Sequence, residues 1–226
     1  MAGHPPAVRA LVSHSALHAN AARLHRAGAE VADLRRDAWG HGLVACAATV
    51  VDAGLRVLVD PEALDTPGLT EAVTTRPDGM VADERTLWGL PGGEGRAVMS
   101  LVGRLLSCKP LLAGEGVSYG YTHRAERDTV AGLVAGGYAQ GVVREVGNRV
   151  EVRIGAHRVP IVGRVAMDAC VVDLGETGLA PGADVVFFGD PALGDPSLAD
   201  WESATGLSAA EIAGLAGSRA GRADIS

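Results

Sequence analysis

From Gly114 to Asp173 the chain reads GEGVSYGYTHRAERDTVAGLVAGGYAQGVVREVGNRVEVRIGAHRVPIVGRVAMDACVVD. This stretch holds all three tyrosines of the protein and three glycine-bearing signatures in fixed order: VSYG (Val117 to Gly120), GGYAQG (Gly136 to Gly141) and GRVAMD (Gly163 to Asp168). Short apolar runs separate them. In Arg149 to Ile154 the residues Val150, Val152 and Ile154 fall on one face, and Val159 to Val165 and Cys170 to Leu174 follow as apolar strands between glycine turns. Alternation at period two fits a half-buried strand, so an antiparallel barrel or sandwich is expected from about Arg96 onward. Downstream, Gly182 to Asp190 (GADVVFFGD) reads as another strand and Ala209 to Ala216 as a last helix with Glu211 near its start.

Composition bounds what such a chain can do. Of its 226 residues 47% are hydrophobic and 21% charged, which suffices for a real core. A net charge of −7 argues against nucleic acid or an anionic membrane as partner, because nothing offsets phosphate repulsion. No apolar run reaches the roughly 18 residues needed to span a bilayer, and the start MAGHPPAVRA lacks the apolar core of a secretory signal, so a cytoplasmic protein is expected. Cys46, Cys108 and Cys170 are far apart and in no metal spacing, which suggests neither a disulfide framework nor a zinc site.

The N-terminal part has another rhythm. Ser15 to Ala27 places Leu17, Ala21 and Leu24 on one helical face, with a serine to cap it and Gly28 to stop it. A strand at Glu30 to Leu34, a buried helix from Gly42 to Ala53 ended by Gly54, and a strand at Leu55 to Asp60 follow. This order is how a parallel α/β barrel begins. A full barrel takes about 250 residues, yet only some 95 precede the strand that starts at Arg96. Most of the barrel is therefore expected to be absent. The connector after Asp60, with Pro61, Pro67, Pro77 and Pro91, suggests one short helix near Gly68 to Val73, and its GLPGGEG reads as a flexible turn.

The ordered signatures resemble the C-terminal domain of alanine racemases, whose wording runs close to VSYG, GYADG and PIVGRxxMDQ. Gln140 stands here at the aspartate position and Ala169 at the glutamine position. The N-terminus resembles the same family: Ala16, Leu17 and Asn20 match an ALxxN pattern, and Leu34 to Gly42 (LRRDAWGHG) matches the strand end VKA(D/N)AYGHG. The resemblance implies two domains, a truncated α/β barrel-like segment (1–95) and a racemase-like C-terminal β-barrel (96–226). It also places Arg35 where the family has the lysine that holds pyridoxal phosphate, Trp39 at a motif tyrosine and Asp224 at a closing tyrosine that helps hold the cofactor phosphate. A guanidinium stays protonated and forms no imine. The one other amine, Lys109, lies in the strand-like segment before VSYG. No cofactor is expected.

The other half of the family's site survives. By resemblance Tyr119 is a catalytic acid/base and Met167 and Asp168 hold substrate beside it; Tyr138 lines the entry, and Arg144 matches the arginine that follows. His123, four residues after Tyr119, is a further candidate for proton transfer. Arg35 and Trp39 are candidates for substrate contacts in a site without cofactor. A phenol ionises near pH 10, about three units above neutrality, so an acid/base Tyr119 calls for a cation, with Arg144, Arg124 and Arg127 the candidates. Glycine-flanked tyrosines also serve as packing residues, and an aspartate also caps turns. Three functions stay open: a cofactor-independent isomerase, lyase or cyclase acting on a small molecule; a non-catalytic homologue that binds a ligand or a partner; and a residual racemase. A homodimer is expected from the resemblance.

Overall fold

The computed structural model describes residues 8–226. Residues 1–7, most of the start read above as lacking a secretory signal, lie outside them. The chain forms two compact units, one made of Leu11–Met99 with Arg222–Ser226, the other of Ser100–Gly221 with the first described residues up to Ala10.

After the strand β1 (Arg9–Ser13), the first unit runs α1 (His14–Arg26), β2 (Val31–Asp33), the short turn α2 (Arg35–Trp39), α3 (Leu43–Asp52), β3 (Arg56–Leu58), β4 (Val73–Thr74) and α4 (Glu84–Trp88). Leu17, Ala21 and Leu24 of α1 are buried as their spacing predicts, but Ser13 rather than Ser15 caps the helix, its hydroxyl accepting from the Ala16 N–H at 3.2 Å. Strands β2, β3 and β4 pair in parallel in that order. Three strands thus stand where a closed α/β barrel has eight. The helix expected at Gly68 to Val73 is not there; the segment leads into β4, which takes the free edge of β3 (Val57 opposite Val73). A helix appears instead at α4, where Asp83 accepts from the Thr86 N–H at 2.8 Å and Gly89 closes the end in a left-handed conformation.

The second unit holds a six-stranded antiparallel barrel. The strands are β5 (Met99–Leu111), β8 (Thr129–Ala135), β9 (Glu151–Ile154), β10 (His157–Val162), β11 (Ala169–Asp173) and β12 (Asp184–Phe188), with the hairpin β6 (Gly116–Val117) and β7 (His123–Arg124) beside them. The order is β12-β9-β10-β11-β8-β5, and β12 closes the barrel on β5. Registers such as Val159 opposite Val152, Val172 opposite Gly132 and Leu105 opposite Val134 turn alternate apolar residues inward. Irregularities between Leu105 and Ser107 and between Val186 and Phe188 bend the strands toward closure. Phe188 meets Trp201 edge-on with ring centroids 5.3 Å apart. Trp201 sits in α5 (Leu198–Thr205), a helix with a Ser197 cap and Gly206 stop that precedes α6 (Ala209–Arg219) and the final strand β13 (Gly221–Ile225).

Candidate active site

The VSYG signature forms the tip of the β6–β7 hairpin. Val117 pairs with His123 across it, and Val117 packs into a cluster with Leu111, Ala125, Ala131 and Val162. The tip is bent sharply: Ser118 and Tyr121 have φ of 62° and 47° and Gly120 of 77°. Two side chains fix it to the turn that opens GRVAMD. The Ser118 hydroxyl donates to the Arg164 carbonyl at 2.7 Å, and Asn148 accepts from the Gly163 N–H at 2.6 Å while its amide nitrogen lies 3.3 Å from the Thr122 hydroxyl.

The GGYAQG signature completes the arrangement. Its loop lies against Ala166–Asp168, with the N–H groups of Gly136, Tyr138 and Ala139 donating to the carbonyls of Asp168, Ala166 and Met167. No side chain fits at Gly137, where a Cβ would stand 2.3 Å from the Met167 carbonyl oxygen. The two loops are therefore locked backbone to backbone. Tyr119, Tyr138, Arg144, Arg164, Met167 and Asp168 line one open pocket of about 760 Å³. Tyr119 is 76% exposed and Met167 53% exposed, and the Arg144 guanidinium lies over the Tyr138 ring at 4.2 Å. Asp168 is held by Gln140, whose amide nitrogen donates to Oδ1 at 2.9 Å.

Five of the eight candidate residues, Tyr119, Tyr138, Arg144, Met167 and Asp168, thus share a pocket. His123 is half-buried in β7 and does not line it. Of the three expected cations only Arg144 lines it; Arg124 lies over the Tyr121 ring at 5.7 Å and donates to the Gly114 carbonyl at 2.8 Å, and Arg127 is exposed. Arg164 was not singled out in the sequence, although it stands inside the quoted GRVAMD signature.

Arg35 and Trp39 belong to the other unit. Arg35 is followed by a left-handed turn, Arg36 to Trp39, with φ between 52° and 57° at four successive non-glycine residues. Each left-handed residue costs roughly 1–2 kcal/mol, so neighbouring contacts must hold the turn. Asp60 accepts from the Arg36 N–H at 2.7 Å; Asp37 accepts from the Leu43 N–H at 2.8 Å and from Arg222 at 2.6 Å. A second open pocket, of about 840 Å³, lies beside this turn, lined in part by Arg36, Asp60, Glu62, Arg222 and Asp224.

These residues do not fit a lysine-anchored cofactor. Arg35 donates from Nε to both oxygens of Asp33 at 3.0 and 3.1 Å. Burial by itself would raise the Asp33 carboxyl, but the hydrogen bonds and charge of Arg35 outweigh it and hold the carboxyl below its usual range; Asp33 in turn raises the guanidinium. Lys109 is exposed on β5, in the barrel unit. Asp224 is paired with His14 Nε2 at 3.0 Å, and the other nitrogen of that ring meets Thr49 Oγ1 at 2.7 Å.

Residues 98–223 match the family described as alanine racemase, C-terminal domain. The alanine racemase of Salinispora arenicola is 39% identical over 149 residues, 62% of this chain and 40% of that protein. The alanine racemase of Thermobifida fusca is 36% identical over 160 residues, 67% of this chain and 43% of that protein. The chain spans less than half the length of these curated relatives. Among solved structures, an alanine racemase from D-cycloserine producing Streptomyces lavendulae aligns with a TM-score of 0.83 at 20% identity, over 99% of this chain and 98% of that one. The enzyme from Bacillus anthracis with bound L-Ala-P gives 0.82 at 17% identity, over 100% and 96%. Identities that low speak to the fold alone. The sequence match covers more than half of the chain and takes in the barrel, the hairpin and the five candidate residues that share the tyrosine pocket, and on it the chain belongs to the alanine racemase family.

Proposed function

We propose that this chain is a cofactor-independent member of the family that performs proton transfer on a small molecule in the Tyr119 pocket, as an isomerase, lyase or cyclase. The observation that carries this reading is the placement of Tyr119. Its ring is exposed at a pocket that also presents Asp168, Arg144 and Arg164, rather than buried as a packing residue. In the proposed reaction the Tyr119 hydroxyl gives or takes a proton at carbon or oxygen of the substrate, Asp168 holds a donor group of the substrate, and the two guanidinium groups bind its anionic end. Pyridoxal phosphate has no part in it.

An acid/base works best where water is excluded, and this pocket is open. We therefore place a second copy of the chain over it, as a homodimer in the cytoplasm, with neither nucleic acid nor membrane as partner. Among the described residues no helix is long and apolar enough to cross a membrane. Light scattering at micromolar concentration should give twice the chain mass; a monomer there would leave the pocket uncovered and remove this part of the proposal.

The reaction is tested by following deuterium uptake from heavy water, by NMR, into a panel of small amino, hydroxy and keto acids. One or more should exchange, and Tyr119→Phe should slow that exchange roughly a hundredfold or more, as expected for a lost general acid or base, with folding and dimerisation intact. Full activity in Tyr119→Phe would make the tyrosine a bystander. A second reading, a non-catalytic partner that pairs with a complete racemase, rests on the same exposure: Tyr119 and Met167 present half of a site with nothing over it. An absence of exchange across the panel, together with a mixed dimer on mixing with a complete racemase, would favour it.

A further inference from the structure

Gln140 is the residue at which the GGYAQG loop departs from the family wording it resembles, and the structure gives it two simultaneous hydrogen bonds. Its amide oxygen accepts from the Gly137 N–H at 3.1 Å, and its amide nitrogen donates to Asp168 Oδ1 at 2.9 Å. One partner can only donate and the other, as a carboxylate, only accepts, so a single orientation of the amide satisfies both. Gly141, left-handed with φ of 90°, turns the chain directly after it.

We infer that Gln140 is a positioning residue for Asp168: it fixes the rotamer of an otherwise exposed carboxylate by engaging Oδ1, leaving Oδ2 for the ligand. The backbones on both sides are already fixed. The loop's three N–H bonds to Ala166, Met167 and Asp168 and the crowding at Gly137 hold the two segments in register, so the remaining freedom at Asp168 is that of its side chain. An aspartate at position 140 would set a second carboxylate against the first, and like charges at that separation repel. The glutamine makes the same contact attractive. This inference rests on Asp168 having a role in the pocket, but its test does not depend on turnover.

The test is a thermodynamic cycle on the intact protein, read by urea unfolding, with Gln140→Ala, Asp168→Ala and the double variant. A hydrogen bond to a charged group predicts coupling of roughly tenfold or more in the unfolding constant. If Gln140 served only to cap the Gly137 N–H, Gln140→Ala would destabilise equally with or without Asp168, and coupling within error of zero overturns the inference. The near-isosteric pair Gln140→Glu and Asp168→Asn adds an independent check. Gln140→Glu alone keeps the Gly137 bond but opposes two carboxylates, so it should destabilise. Combined with Asp168→Asn it restores the bond with reversed polarity, and stability should recover; failure to recover also counts against the inference. Coupling observed in a protein whose Tyr119→Phe variant is fully active would uphold the positioning role and sink the proton-transfer reading, so the two fail separately.

Discussion

Arg35→Lys should form no protein-bound aldimine when mixed with pyridoxal phosphate, and neither should the unaltered chain. Restoring an amine at this position restores the only atom the imine needs, yet its surroundings oppose the reaction. Asp33 is 16% exposed at its side chain and already engages the residue at position 35. Facing lysine it would stabilise the ammonium, the form that cannot attack an aldehyde. The neighbouring pocket is mixed in charge: Arg36 and Arg222 line it, but so do Asp60, Glu62 and Asp224, with Arg222 engaged by Asp37 and Asp224 held by His14. Five of the strands that complete an eight-stranded barrel have no counterpart between β4 and β5. The check is visible aldimine absorbance and borohydride-fixed label on a lysine, in both proteins. A label at position 35 in the variant would mean that one substitution separates this chain from cofactor binding, and the proposed cofactor-independent chemistry would lose its basis. A stoichiometric label on Lys109 with bound aldimine absorbance, in the unaltered chain at equimolar pyridoxal phosphate, would be as damaging.

The members of the tyrosine pocket were picked out through the family resemblance of three short signatures, whose glycines leave little latitude in local conformation. Gly137 is the clearest case, since a side chain there would strike the Met167 carbonyl, and the spacing of GGYAQG and GRVAMD therefore carries a contact between them. What escaped were contacts that local patterns do not encode. The bridge from Gln140 to Asp168 spans 28 residues and depends on two loops meeting. Arg164 was overlooked because an arginine at a glycine turn looks like an ordinary surface charge. The separation of His123 from the pocket follows from hairpin pairing: His123 stands opposite Val117 in the ladder, so closeness to Tyr119 in sequence did not become closeness in the site. In the other unit, the strands at Val31–Asp33 and Arg56–Leu58 and the helix between them were readable. The connector was not, because its prolines break any helical period and β4 exists only through pairing with β3. The capping serine was read without a position, because Ser13 and Ser15 flank the same histidine, and the helix starts one residue before Ser15.

Acid should unfold the first unit through His41. The ring is 1% exposed and stacked on Trp88 with centroids 4.2 Å apart and planes 19° from parallel. A carbonyl only accepts, so Nδ1 carries the proton it donates to Ala38 at 2.9 Å, while Nε2 is buried with no partner among the described residues. A second proton on Nε2 would be charged, buried and without an acceptor. Burial is the largest influence and pushes the pKa down to about 4; the carbonyls of Ala38 and Trp39 and the charge of Asp37 oppose it, and Arg222 reinforces it. In the unfolded chain the ring titrates near 6.5. Between these values the unfolded chain binds a proton that the folded chain refuses, so this contribution to stability is complete above pH 6.5 and is lost as the pH falls toward 4. A gap of that size, at about 1.4 kcal/mol per unit, corresponds to about 3 kcal/mol. Carboxyls such as Asp33 and Asp83 are also held low in the fold and weaken it in the same direction as they protonate, so the histidine must be isolated by comparison. His41→Asn keeps a donor for the Ala38 carbonyl and removes the titration. Urea unfolding at pH 7.5, 6, 5 and 4, followed by indole fluorescence, should show the unaltered protein losing stability more steeply than the variant between pH 6.5 and 4. The two curves should run parallel above pH 7, with the variant lower there for want of the stacked ring. Equal slopes through the acid range would mean that His41 is hydrated or paired in solution and that the WGHG turn opens without unfolding.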